Sequence, residues 1–411
     1  MASSPDTTPS TLIVGAGCMG LSTALHLQRR GGTNITLLDA QPFPSIDAAS
    51  NDSSRIVRPD YTDPFYATLA REAHHAWLSD PIFAPSFHRT GWIMAELAGA
   101  GHVARTLAVL HRLGLTQLER LTPAACTARF AALDGPMPRW DMYFNADAGW
   151  ADARGALRGA MAAFAAAGGR VVTGQAVALE MDAEDSARVA GVRTADGAVL
   201  TADRVLVCAG AGTPALLDTG TLIHPVGLCV AHWRLDGAEE RARWEGHPVV
   251  DLHRHGYFFP PNEDGVMKMG IGMLSYHNLP ADGGGVSTPV RSLEIPKEAE
   301  ECIRWILRQV APSLAEKPFF DMKVCWDGIT ADHHWLISKH PEKTSLYVAA
   351  GGSGHAFKFF PIIGKYILDM MDGELGAEHA EKWRWRTGTG DVTDTMGGRK
   401  MKDLKTSLAQ Q

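Results

Sequence analysis

The stretch TLIVGAGCMGLSTALHLQRRGGTNITLLDAQ, Thr11 to Gln41, decides the reading of the fold. Thr11–Val14 is a short apolar, β-branched run. A glycine turn follows, and Met19–Arg30 carries apolar residues at helical spacing before ITLLDA resumes as a strand. That is a βαβ unit. Gly15 allows the tight turn, Gly17 lets the backbone approach a pyrophosphate, and Gly20 permits close packing of helix on strand. Asp39 ends the second strand about 20 residues after the last glycine, where a carboxylate accepts hydrogen bonds from a ribose and disfavours a 2′-phosphate. Strand, turn, helix and acid in register predict a site for an ADP-containing dinucleotide, its phosphates facing the helix N-terminus. The motif by itself permits NAD as well as FAD.

The rest of the composition narrows the class. The 411 residues, 45% hydrophobic and 21% charged, suit a globular enzyme with two substantial domains and exclude a disordered or fibrous chain. A net charge of -7 without a run of Lys or Arg lacks the footprint of a nucleic-acid binder. The six cysteines show no C-x-x-C spacing, which argues against a zinc site and a secreted disulfide framework; no metal centre is expected. MASSPDTTPS lacks the pattern of a signal peptide, no apolar stretch approaches the roughly 20 residues that span a bilayer, and the final LAQQ is not an S-K-L-type address. These features predict a cytoplasmic protein without membrane contact rather than a peroxisomal one.

Further along, an Ala-rich helix from about Ala151 ends at Gly168-Gly169 and leads into a strand. Two strands joined by an Asp196-Gly197 turn precede a third, Arg204–Cys208, that ends in glycines. Between Leu222 and Phe320 alternating segments such as YFFPPNEDGVMKMGIGM predict an antiparallel sheet, with a helix near Lys297 to Val310. The expected architecture is α/β: a discontinuous Rossmann-like cofactor domain (1–90, 149–221 and 321–377) with an inserted α+β substrate domain (91–148 and 222–320). Residues 378–411 read as a polar surface tail.

Two stretches join glycines and charges in ways a plain core does not require. In NDSSRIVRPDYTDPFYATLAREAHHAW, Arg55 and Arg58 sit three apart, spaced to bind a carboxylate or a ring carbonyl, although residue types alone leave a solvated pair open. SLYVAAGGSGHAFKFFPIIG repeats the grammar of the opening: strand, glycine turn with Gly351, Gly352 and Gly354, and a helix from about Phe359.

GAGCMG…LLDA, SSRIVR, CAGAGT, VCW and GGSGHAFKFFPIIG stand in the order found in flavin-dependent amine oxidases related to monomeric sarcosine oxidase. The chain resembles that family, which includes fructosyl-amino-acid, pipecolate and saccharopine oxidases and fungal amine oxidases of secondary metabolism, from about Thr11 to Leu375. The resemblance implies FAD. It places Cys325 where the family joins a cysteine to the flavin as an 8α-thioether, and Lys268 where a lysine over the flavin helps reduced cofactor react with oxygen. It places Arg58 and Lys358 where the substrate carboxylate is held, and Arg55 beside the flavin. The implied cofactor contacts are Gly15, Gly17, Cys18, Met19, Gly20, Asp39, Ser54, Arg55, Val177, Cys325, Gly352, Gly354, His355 and Lys358.

Two positions depart from the sarcosine branch: Gly272 replaces a histidine and Asp327 a tyrosine, which argues against a minimal sarcosine pocket. Trp92, Trp326, His333, His334 and Trp335 include candidates for lining a larger one. The resemblance therefore implies a monomeric oxidase that converts the C–N bond of a secondary amine or N-substituted amino acid to an imine, with oxygen reduced to hydrogen peroxide. An amine dehydrogenase with another acceptor and an inert flavin-binding protein are the alternatives.

Overall fold

The computed structural model describes residues 9–137, 139–280, 285–386 and 400–410; the first eight residues of the polar start and 387–399 of the expected tail lie outside them. Thr11–Val14 and Ile35–Asp39 are adjacent parallel strands joined by the helix Cys18–Arg29, and Arg204–Val207 pairs with the first strand from its other side. Arg170–Thr173 and Leu346–Ala350 extend the sheet in parallel, and Leu336–Lys339 closes one edge antiparallel. Ile13, Leu37 and Leu206 face the helices, whereas Leu12, Leu38, Val205 and Val207 face the opposite cluster. A sheet covered on both faces needs such uninterrupted apolar strands.

The first helix and the late helix Ile363–Asp372 meet where side chains are smallest. A Cβ on Gly364 would overlap the carbonyl of Ser22, while Ser22 Oγ donates to Phe360 O (2.6 Å) and accepts from Gly364 N (2.9 Å). That helix starts later than Phe359: Phe357–Phe359 is a short 3-10 turn, and Pro361, lacking an N–H, cannot carry an α-helical ladder through this point.

The second unit is a ten-stranded sheet. Phe320–Ile329 and Val266–Ile271 flank His224–Arg234; beyond them follow Gly256–Phe259, Val249–Leu252, Trp92–Leu97, Trp140–Asn145 and Leu118–Leu121. Pairing is antiparallel among the described residues except between Val249–Leu252 and Trp92–Leu97, and at the far edge. The helix Lys297–Val310 covers one face with Ile303, Ile306, Leu307 and Val310.

The region beyond 378 is not a solvated tail where it is described. Trp383, on the helix Ala377–Trp383, is fully buried with its ring 5.2 Å from that of Trp335. Lys400–Asp403 adds a parallel strand beside Leu274–His277, and Leu404 is buried. An open sheet edge presents unpaired N–H and C=O groups, and this polar segment satisfies them. Among the described residues no helix is long and apolar enough to cross a membrane.

Because backbone, not a movable side chain, opposes any Cβ at 364, Gly364→Ala is expected to destabilise the enzyme by about 1–3 kcal/mol. A fall in thermal midpoint of several degrees checks this.

Candidate active site

Alternation along the ten-stranded sheet sorts its side chains into two sets. Residues paired across strands share a face and neighbours along a strand oppose each other. Val324, Trp326, Met267, Met269 and Phe258 pack in the core beneath the covering helix. Their neighbours Cys325, Lys268, Tyr257 and Phe259 therefore present to the other face, together with His232, which is paired with Lys268, and Asp251, paired with Tyr257. This inner face looks toward the segment Asn51–Tyr61, whose strand Arg55–Val57 pairs with Gly149–Ala151.

A compact charge cluster forms there. Lys268 Nζ donates to Asp52 Oδ2 (2.5 Å) and to Ser54 O (3.0 Å), with both side chains 2% exposed. Arg55 Nη1 donates to that same Asp52 oxygen, its Nη2 donates to Ala49 O, and it lies 3.7 Å from Cys325 Sγ. Burial pushes the Asp52 carboxyl upward, but Arg55 and Lys268 outweigh it and hold Asp52 well below the usual carboxylate range. Burial likewise lowers Lys268 to about 8, opposed by Asp52. The Cys325 thiol is pushed up by burial, with Arg55 acting against the shift.

A second set of cations gathers around Tyr61. Arg58 lies between rings, 5.0 Å from the centroid of Tyr61 and 4.7 Å from that of Trp92, and its buried Nη1 finds no hydrogen-bond partner among the described residues. Lys358 Nζ donates to Tyr61 Oη (2.9 Å) and His355 O (3.1 Å). Burial, then the nearby Arg58 charge, holds the Lys358 ammonium well below its ordinary range. Asp60, 2% exposed, accepts from Tyr143 Oη (2.8 Å) and Asn145 Nδ2 (2.9 Å), so the segment is tied to the substrate sheet.

The glycine turns form a cradle that side chains would fill. A Cβ on Gly15, whose φ is +108°, would strike Cys208 O, and one on Gly20 would strike Gly15 O. The first helix has no side-chain cap and no acid in its first turn, so its N-terminus suits a pyrophosphate. Cys18 N is held by Ser50 Oγ (3.0 Å), Met19 packs in the core, and Asp39 Oδ2 accepts from Ala16 N (2.6 Å), which places the carboxylate against the turn. On the other side, Asp327 accepts from Gly354 N and stands beside Gly352, so the late glycine turn meets the strand that carries Cys325. These donors and gaps fit an ADP-containing flavin.

Several expected residues lie elsewhere or act differently. Val177 is 44% exposed and lines a groove with Leu216, His340 and Trp385. Both His355 ring nitrogens are engaged within the protein, by Tyr61 Oη (3.2 Å) and His333 O (2.9 Å), and burial keeps the ring neutral. Trp326 points away from the site because it neighbours Cys325, and Trp335 is core packed against His355. His334 bonds Tyr66 Oη (3.1 Å). Trp92 does reach the site, against Arg58. Asp52, Asp60, Tyr61 and His232 were not singled out in the sequence: each has at least one partner far along the chain, 216 residues away for Asp52 with Lys268.

A dinucleotide cradle facing a sheet that carries a buried lysine and a half-buried cysteine suits a flavin enzyme, and the chain belongs to the FAD dependent oxidoreductase family, which matches residues 10–370. It is 32% identical to L-saccharopine oxidase of Schizosaccharomyces pombe over 91% of this chain and 92% of that protein. Fructosamine oxidase (Amadoriase II) of Aspergillus fumigatus, solved in complex with FSA, has a TM-score of 0.88 and 35% identity, covering 97% of this chain and 95% of its own. Monomeric sarcosine oxidase of a Bacillus species is 25% identical, over 87% and 92% of the two chains. The protein is an FAD-dependent amine oxidase.

Tyr143→Phe removes one of two donors to the buried Asp60 carboxylate and is expected to cost about 1–3 kcal/mol in urea unfolding.

Proposed function

We propose that the enzyme oxidises an N-substituted amino acid larger than sarcosine, of the size of saccharopine or a fructosyl amino acid. The C–N bond becomes an imine while one molecule of oxygen becomes hydrogen peroxide. The buried, unpartnered Arg58 Nη1 carries this reading: a guanidinium held between two rings beside a second cation offers its fork to a carboxylate. Gly272 supports the larger substrate, because it brings no side chain to the position where the sarcosine branch carries a histidine.

Bound in the glycine cradle, FAD would supply the two-electron chemistry that links oxidation of the C–N bond to reduction of oxygen. Arg58 and Lys358 hold the carboxylate and so fix the reacting carbon. The Arg58 charge also disfavours a protonated substrate amine, so the nitrogen loses its proton before the C–N bond is oxidised. Lys268 supplies a cation where oxygen gains negative charge. Cys325, whose sulfur lies near Arg55, would be the site of a thioether to the flavin: an S–H and a C–H of the ring methyl would give way to the C–S bond, the two electrons passing by way of the flavin to oxygen, and Arg55 and Lys268 act against the burial that raises the thiol.

Anaerobic addition of N-substituted amino acids, saccharopine and fructosyl amino acids among them, is expected to bleach the flavin. Arg58→Ala should raise the half-saturating concentration about 10–100-fold, the worth of one charge-assisted hydrogen bond. A flavin that no carboxylated amine bleaches would sink the proposal. For the covalent link, wild-type chain precipitated in acid is expected to stay yellow, whereas Cys325→Ala releases its colour to the supernatant.

A further inference from the structure

Lys268 does not stand alone on its sheet face. Its ammonium is buried, 5.2 Å from the Phe259 ring centroid, and it shares the Asp52 Oδ2 atom with Arg55. The other Asp52 oxygen accepts from Ser53 N (2.7 Å), so the carboxylate is fixed from its own loop before it meets either cation. His232 sits opposite Lys268 in register, its Nε2 3.5 Å from Ser53 Oγ and its Nδ1 3.1 Å from Asp321 O.

Two cations against one anion leave the cluster with a net positive charge. Without Asp52, Lys268 and Arg55 would face each other in a site from which water is largely excluded, where like charges repel strongly. Arg55, the intrinsically stronger base, would stay charged and Lys268 would yield its proton.

We infer that Asp52 is the positioning residue for Lys268: its carboxylate fixes the ammonium group on the sheet face beside Cys325 and keeps it cationic next to Arg55. The same carboxylate orients Arg55 toward the Cys325 sulfur, so one acid serves both the oxygen-side cation and the cysteine. The inference rests on the assignment of Lys268 to the oxygen reaction.

The groups that face Lys268 set the pH at which its charge is lost. Asp52 holds the proton on, whereas burial and Arg55 take it off; Cys325 favours the cation weakly, and Lys323 is a further charge near Asp52. Burial and Lys268 together keep His232 neutral. Lysine is cationic below its pKa, so removing Asp52 moves the loss of charge to lower pH.

The test needs no knowledge of the substrate. Flavin reduced with dithionite is mixed with air-saturated buffer between pH 6 and 9 for wild type, Asp52→Asn, Lys268→Met and the double variant. Asp52→Asn is expected to move the pH at which reoxidation slows downward by about one unit or more, and to slow it about tenfold at pH 8. The double variant should be no slower than Lys268→Met. Thermal unfolding of the same four proteins should show the double variant destabilised by less than the sum of the singles, since each single leaves a buried charge unpaired. Wild-type reoxidation by Asp52→Asn across the range, with Lys268→Met slow, overturns the role of Asp52. Wild-type reoxidation by Lys268→Met overturns the oxygen assignment instead. If Asp52→Asn retains no flavin, Asp52→Glu decides: it keeps the charge but displaces it by one methylene, so severalfold slower reoxidation supports the role and an unchanged rate overturns it.

Discussion

Buried charge must be paired, and in this protein that constraint joins the two sheets. Asp52 and Asp60 are both almost wholly buried on one short segment, and neither finds all its partners there. Asp52 takes Arg55 from its own segment and Lys268 from the ten-stranded sheet; Asp60 takes Tyr143 and Asn145 from the same sheet. Removing Lys268 or Arg55 would leave the buried Asp52 ion short of a counter-charge, at a cost of several kcal/mol, whereas removing a neutral donor from Asp60 costs about 1–3 kcal/mol. The segment is therefore clamped to the substrate sheet, while Tyr61 at its end meets His355 and Lys358 beside the late glycine turn. Nucleotide fold and substrate sheet are held in one geometry by these contacts.

Around that clamp the chemistry divides by position. Lys268, Cys325 and Arg55 gather where the inner face meets the start of the segment; Arg58 and Lys358 gather at Tyr61, where the segment reaches the nucleotide fold. Arg55 and Arg58 stand three positions apart, at the start of a strand and just past its end, enough to put one guanidinium beside the cysteine and the other between Tyr61 and Trp92. A site that must oxidise a carbon and reduce oxygen gains from such separation, because one set of charges can bind substrate without occupying the cation that oxygen needs.

Much of this was legible beforehand. The βαβ opening, the Asp196-Gly197 hairpin and the helix Lys297–Val310 follow from local periodicity and turn chemistry, and the structure contains each. Motif order singles out Cys325, Lys268, Arg58 and Lys358 as candidates, and the fold sets the first two on one sheet face and the last two beside Tyr61. Trp326 was misread although the signal was present: next to Cys325 on a strand, it has to face the other way. The polar segment beyond 378 was misread for a different reason, since its strand and its buried Trp383 are stabilised by partners far away in the chain.

The sequence by itself determined the dinucleotide turn, the elements that flank it and the family, because glycines with positive φ, apolar periodicity and motif order are local properties. Only the tertiary structure decided that Asp52 is the counter-ion of Lys268, that Asp60 ties the segment to Tyr143, and that the His355 ring is spent on Tyr61 and His333. An acid in a loop reads as solvated until the fold removes its water, and its partner is chosen by strand register rather than by its neighbours in the chain.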